Sequence, residues 1–214
     1  MKKQLLKLVL CFMTFTLIFS PLSTNAQENV PQGQCISPAA CKLKGDSRKL
    51  WTDHVMWTRL YIVGALAGLD DKEKVLARLL QNQEDLGNAI KSYYGEEAGN
   101  KLAELLKNHI LIAGKVVEAA KSGNKANFEK FNKEWYKNAD DLADFLSKAN
   151  PNWSKADLKN LLETHLVLLT EDVTARLVKD WDASIAALDK GIDHIIKIAD
   201  TLSKGIVKQF PNKF

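Results

Sequence analysis

The chain is predicted to be all-α, an antiparallel helical bundle of six helices built from three repeated helical hairpins. Three observations predict this. Apolar residues recur at three-four spacing from about residue 47 onward, strand-like alternation is nearly absent, and the sequence matches itself at an offset of 56 residues. At that offset Asn82 matches Asn138, Asp85 matches Asp141, Leu86 matches Leu142, Leu102 matches Leu158, and His109 matches His165. The match needs no gap and runs through a turn as well as two helices, so it reports a shared unit.

Residues 1–26 read as a secretory signal peptide. Lys2, Lys3 and Lys7 precede or open an apolar run from Leu8 to Phe19, Pro21 breaks it, and Ala26 offers a small residue before a cut at Gln27. The run is shorter than the roughly 20 apolar residues of a membrane span, so no stable span is expected once the signal is removed. Residues 27–46 form a polar leader with Pro31, Gly33, Pro38 and Gly45. Within it Cys35 and Cys41 are predicted to close a small disulfide loop, as suits an exported chain.

The bundle occupies residues 47–214. The first helix runs from about Ser47 to Ala67 and stops at Gly68. The second is capped by Asp70, with Glu73 three positions on as in a capping box, and ends at Tyr94 and Gly95. A third spans about 96–121 and is halted by Ser122, Gly123 and Asn124. The fourth reaches Ala149 before Asn150 and Pro151 break it, and the fifth starts after Trp153 with Ser154 as cap. No Gly or Pro lies between Ala175 and Ile185. The repeat alone places a turn near Lys179, with Asp180 capping the sixth helix, because His54 and His109 each precede their turns by a similar length.

All four histidines fall at recurrent places in this repeat. His54, His109 and His165 lie 55 and 56 residues apart, and His194 follows His165 by 29 as Asn138 follows His109 by 29. Residues equally far from a hairpin turn lie level with one another, so His54, Asn82, His109, Asn138, His165 and His194 share one level. His109 continues the row of Leu102 and Leu106, and Asn138 the row of Phe131 and Trp135, so these polar groups face the core. His194 sits on the flank of its stripe.

Such a layer has two readings. A hydrogen-bond network would satisfy its own members and fix helix register, as a single buried Asn does in a coiled coil. Alternatively His54, His109, His165 and His194 with the carboxylates Asp85 and Asp141 are suitable ligands for a divalent transition metal such as zinc, iron or manganese, in the style of ferritin-like or hemerythrin-like bundles. The Glu-x-x-His pairs of di-iron bundles are missing, since Trp51, Leu106 and Leu162 stand three before the histidines.

Other classes are disfavoured. The chain has 30 Lys+Arg and 26 Asp+Glu, and three of the lysines belong to the signal, which leaves 27 − 26 = +1. That balance does not suit a nucleic-acid ligand. No nucleophile elbow, zinc-protease motif, phosphate loop or dinucleotide fingerprint occurs, so an enzyme is not the favoured reading. Trp51, Trp57, Tyr61, Trp135, Tyr136 and Trp181 occur at helical spacing and are predicted to pack in the core. Tyr93, Tyr94 and Trp153 lie near two turns at one end of the bundle, the end favoured for a glycan or partner chain. The tail is expected to fold back with Phe210 and Phe214.

Residues 50–59 (LWTDHVMWTR), 78–90 (RLLQNQEDLGNAI) and 205–214 (GIVKQFPNKF) resemble a family of exported Bacillus-type all-helical proteins without an assigned function. Some members carry automatic names such as acetylglutamate kinase or glycosyltransferase. Either would imply a nucleotide-handling α/β domain, for which this chain has neither strands nor a phosphate loop. The reading is an exported binding or structural protein of the cell envelope or exterior, with a partner there.

Overall fold

The computed structural model describes residues 37–214. The expected signal peptide, the first half of the expected leader and Cys35 lie outside the described residues, so the expected Cys35–Cys41 pairing does too. Among the described residues there are five α-helices and no strand: α1 (Pro38–Ala67), α2 (Lys72–Lys121), α3 (Lys125–Ala149), α4 (Lys155–Leu177) and α5 (Trp181–Gln209), followed by a 3₁₀ turn at Pro211–Lys213. The helices close a ring in which α1 packs on α2 and α5, α3 packs on α2 and α4, and α4 packs on α5.

The expected second and third helices fall within a single helical span, α2, which is kinked at Gly95. Gly95 itself has φ 85° and ψ 171°, a region open essentially to glycine alone. The two arms of α2 come together after it. A Cβ on Gly87 would stand 2.5 Å from the Gly99 carbonyl oxygen and 2.8 Å from the Ala103 Cβ. Backbone therefore meets backbone there, and only glycine permits it.

Three other helix ends share one geometry. Gly68, Gly123 and Lys179 take left-handed φ of 71°, 67° and 62°. Each is followed by the same long backbone bond of a Schellman motif, in which Leu69, Asn124 and Asp180 donate to Gly64, Ala119 and Ala175 at 2.9, 3.0 and 2.9 Å. The turn without a glycine exists because Lys179 accepts the strained conformation, while Asp180 caps α5 by accepting from the Ala183 amide at 3.0 Å. Lys179→Gly is expected to raise stability by about 1 kcal/mol, since glycine carries no Cβ penalty there. A urea midpoint that does not rise would contradict this account of the turn.

Several expectations are corrected. α1 begins at Pro38 rather than near Ser47, because Ser37 caps it by accepting from the Ala40 amide at 3.1 Å and Pro38 suits the first helical position. Asp70 does not cap α2. Asp71 precedes that helix and makes no side-chain capping bond. Trp181 is 52% exposed and lies with Leu177, Val178 and Ile185 in an exposed apolar group around the α4–α5 turn, where it covers Arg176 rather than the core.

The end with Tyr93, Tyr94 and Trp153 is built over by the tail. Phe214 stacks on Tyr93 at 5.8 Å and Phe210 meets Tyr94 edge-on at 5.3 Å. Trp153 is buried and donates to the Thr201 carbonyl at 3.2 Å. The Tyr94 hydroxyl accepts from Asn150 at 2.9 Å and donates to Gln209 at 2.8 Å, and burial pushes its pKa up to about 12. These rings fasten the tail to the Gly95 turn and to the α3–α4 turn, so they do not form an open platform.

Candidate functional site: the buried polar layer

Apolar stripes on all five helices carry the polar layer into the core, as their three-four spacing requires. His54, Asn82, His109 and His165 are at most 3% exposed, Asn138 is 7% exposed and His194 is 8% exposed. His194 is thus buried, not on a flank as expected. The closeness of α4 and α5 along their length covers it.

One hydrogen bond recurs. Asn82 donates to the Leu50 carbonyl at 3.0 Å, Asn138 to the Leu105 carbonyl at 3.1 Å, and His194 through Nε2 to the Leu161 carbonyl at 2.8 Å. Each acceptor stands four residues before His54, His109 or His165, where the helix's own ladder leaves a second lone pair on the carbonyl. The side chain from the following helix takes that lone pair. His194 therefore acts in the place of an asparagine.

The imidazoles are arranged differently from one another. His109 is held on both sides, because Trp135 donates to Nε2 at 3.1 Å and the Asn138 side-chain oxygen lies 2.8 Å from Nδ1. The indole N–H is a donor only, so Nε2 is the acceptor and Nδ1 carries the proton that goes to Asn138. His54 Nδ1 lies 3.2 Å from the side-chain oxygen of Gln83, which spends its amide on the Leu79 carbonyl and on Asn82. The two tasks that Asn138 performs alone beside His109 are divided beside His54 between Gln83 and Asn82.

His165 lies between these two, 5.6 Å from the His54 ring and 6.3 Å from the His109 ring. Neither of its nitrogens has a hydrogen-bond partner. Burial, followed by the charge of neighbouring imidazoles, holds His165 well below the usual histidine range. Burial lowers His54 to about 3, aided by His109 and opposed by Gln83. Burial lowers His109 to about 4, opposed by its bond to Asn138. All three rings are neutral at pH 7.

The carboxylates do not join the layer. Asp85 lies 3.7 Å from Arg78 and accepts from Gln81 at 3.3 Å, and Asp141 accepts from Lys137 at 2.7 Å with half its side chain exposed. Among the described residues no group of three or more His, Cys, Asp or Glu is placed to hold a metal ion. Gln83 is the layer member that sequence reasoning did not single out. Its signal was the spacing of 29 residues from His54, the same as from His109 to Asn138. No helix among the described residues is long and apolar enough to cross a membrane.

Comparison of the chain with protein-family models finds no match, and the same holds for curated proteins and for solved structures.

Proposed function

We propose that the chain is an exported binding or structural protein of the cell envelope or exterior, built from three copies of a helical hairpin whose polar layer fixes their register. The observation that carries this reading is the recurrent bond from Asn82, Asn138 and His194 to a carbonyl four residues before each layer histidine. A bond repeated from unit to unit is what a register device requires, because sliding one helix by a residue would break it and leave a buried carbonyl-directed donor unpaired. The shared ends at Gly68, Gly123 and Lys179 support the same three units. The exposed apolar group at Leu177, Val178, Trp181 and Ile185 supports the binding half of the reading, since such a concentration marks contact surface.

The alternative is a divalent-metal site using His54, His109, His165, His194, Asp85 and Asp141. These donors do not fit one ion. Both nitrogens of His109 are engaged, His194 Nε2 is engaged, and the two aspartates pair with surface side chains. Elemental analysis of protein purified without a His tag tests the choice. Metal-free protein with the same thermal midpoint with and without chelator is expected. Stoichiometric zinc, iron or manganese, lost in both His109→Ala and His165→Ala, would overturn the register reading.

A further inference from the structure

The inference rests on the repeat reading and concerns the place where the third copy departs from the second. His109 has a partner at each nitrogen, Asn138 on one side and Trp135 on the other. At the 56-residue offset Asn138 corresponds to His194, and Trp135 corresponds to Gly191. His194 bonds the Leu161 carbonyl but not the ring of His165. Gly191 has no side chain, and a Cβ built on it would meet nothing within 4 Å. His165, 3% exposed, is left without a partner at either nitrogen for these two separate reasons.

On the glycine side the third copy has a small cavity. It measures about 10 Å³ and is lined by His165, Gly191, Val55 and Leu188 together with Arg59 and Asp172. Arg59 and Asp172 form a nearly buried ion pair, with side chains 12% and 4% exposed, and Ser184 donates to the same carboxylate at 2.7 Å. Room for a single water begins at about 10–15 Å³, and a buried water needs two or more polar partners. The cavity is at the lower limit of that volume, and its lining supplies an imidazole and a guanidinium–carboxylate pair.

We propose that this cavity is a binding site for one water-sized neutral hydroxylic molecule, namely water, held between His165 and the Arg59–Asp172 pair. The water donates to His165 at the nitrogen corresponding to Nε2 of His109, as the Trp135 indole does in the second copy. Its other contact is to the ion pair, whose opposite charges favour a neutral molecule that can both donate and accept. An anion would meet the Asp172 carboxylate and a cation the Arg59 guanidinium. An apolar occupant would leave the imidazole nitrogen unpaired. Gly191 is thereby a specificity-determining position, because any larger side chain projecting there would take the water's room.

The test is a high-resolution crystal structure of the mature protein, with solution NMR of water contacts to the Gly191 amide and the His165 ring. One ordered water within hydrogen-bond distance of His165 and of Arg59 or Asp172 is expected, with a matching water cross-peak. Both should disappear in His165→Phe, which keeps a ring without nitrogen. A dry cavity, or His165 bonded directly to His54, would overturn the proposal. So would a cross-peak unchanged in His165→Phe, since the ion pair alone would then hold the water. If His165→Phe does not fold, the wild-type crystal and NMR data decide. The same crystal structure separates the two levels: loss of the bonds to Leu50, Leu105 and Leu161 would sink the repeat reading, whereas their presence around a dry cavity would sink only the water site.

Discussion

Lowering the pH from 7.5 to 5.0 is expected to remove about 4 kcal/mol of folding stability through His54 and His109, roughly 2 kcal/mol from each, with His165 adding to the loss in the same direction. Their folded-state pKa values are depressed, to about 3 and about 4 for the first two and well below the usual value for the third. The unfolded chain takes up protons at the ordinary value near 6.5, so it binds more protons than the folded chain. Stability from these rings is complete above that value and is lost as pH falls through it, continuing toward the folded values. Each group protonated only when unfolded contributes ~1.4 kcal/mol per pH unit, which over the 1.5 units to pH 5 gives the ~2 kcal/mol stated. The shifted carboxylates do not offset this, because Asp144 and Asp200 have lowered pKa values and keep their contribution until pH reaches the unfolded carboxylate range. Urea unfolding at the two pH values checks the loss. A difference near zero would mean that the three rings are protonated in the fold or exposed to water. A domain at the lower end of the usual ~5–15 kcal/mol would be near its unfolding midpoint at pH 5.

The all-helical class, the breaks near Gly68, Gly123, Asn150 and Lys179, and the level of the polar layer were readable because they depend on spacing, whereas the six expected helices are five. The α4–α5 turn is the clearest case. Nothing local marks it, yet the 56-residue offset placed it where Lys179 takes a left-handed conformation. What the spacing did not resolve is direction within one helical turn. Asp85 stands three residues beyond Asn82, a rotation of about 60° from it on a helix of 3.6 residues per turn. At that angle a short carboxylate reaches solvent and Arg78 more readily than the core, so it left the layer. Gln83 has the longer side chain and turns inward to His54. The start of α1 was obscured by Pro38 and Gly45, which resemble leader residues until Ser37 is seen capping the helix. The tail's cover over Tyr93 depends on contacts between distant residues, and no periodicity reports those.

Substitutions at His109 and His194, in the proposed second and third copies, are expected to act in opposite directions. His109→Ala removes a ring that satisfies two buried partners, the Trp135 indole N–H and the Asn138 side-chain oxygen. Each partner left unpaired costs about 1–3 kcal/mol, and the space left by the ring adds a cavity cost. A loss of about 4 kcal/mol or more follows. His194→Asn is expected to stabilise instead, by about 1 kcal/mol. The amide nitrogen of asparagine can keep the bond to the Leu161 carbonyl, as Asn138 does to Leu105, and its oxygen can accept from the His165 nitrogen that now has no partner. The smaller side chain trims this gain, because His194 is buried and the space it leaves carries a cavity cost. Chemical denaturation of both variants at pH 7.5 measures the pair. Destabilisation by His194→Asn comparable to that of His109→Ala would show that the histidine is needed for something an asparagine cannot supply, and the equivalence of the two copies would fail. A rise in midpoint would show that the third copy differs from the second by the loss of a bond its backbone still has room to make.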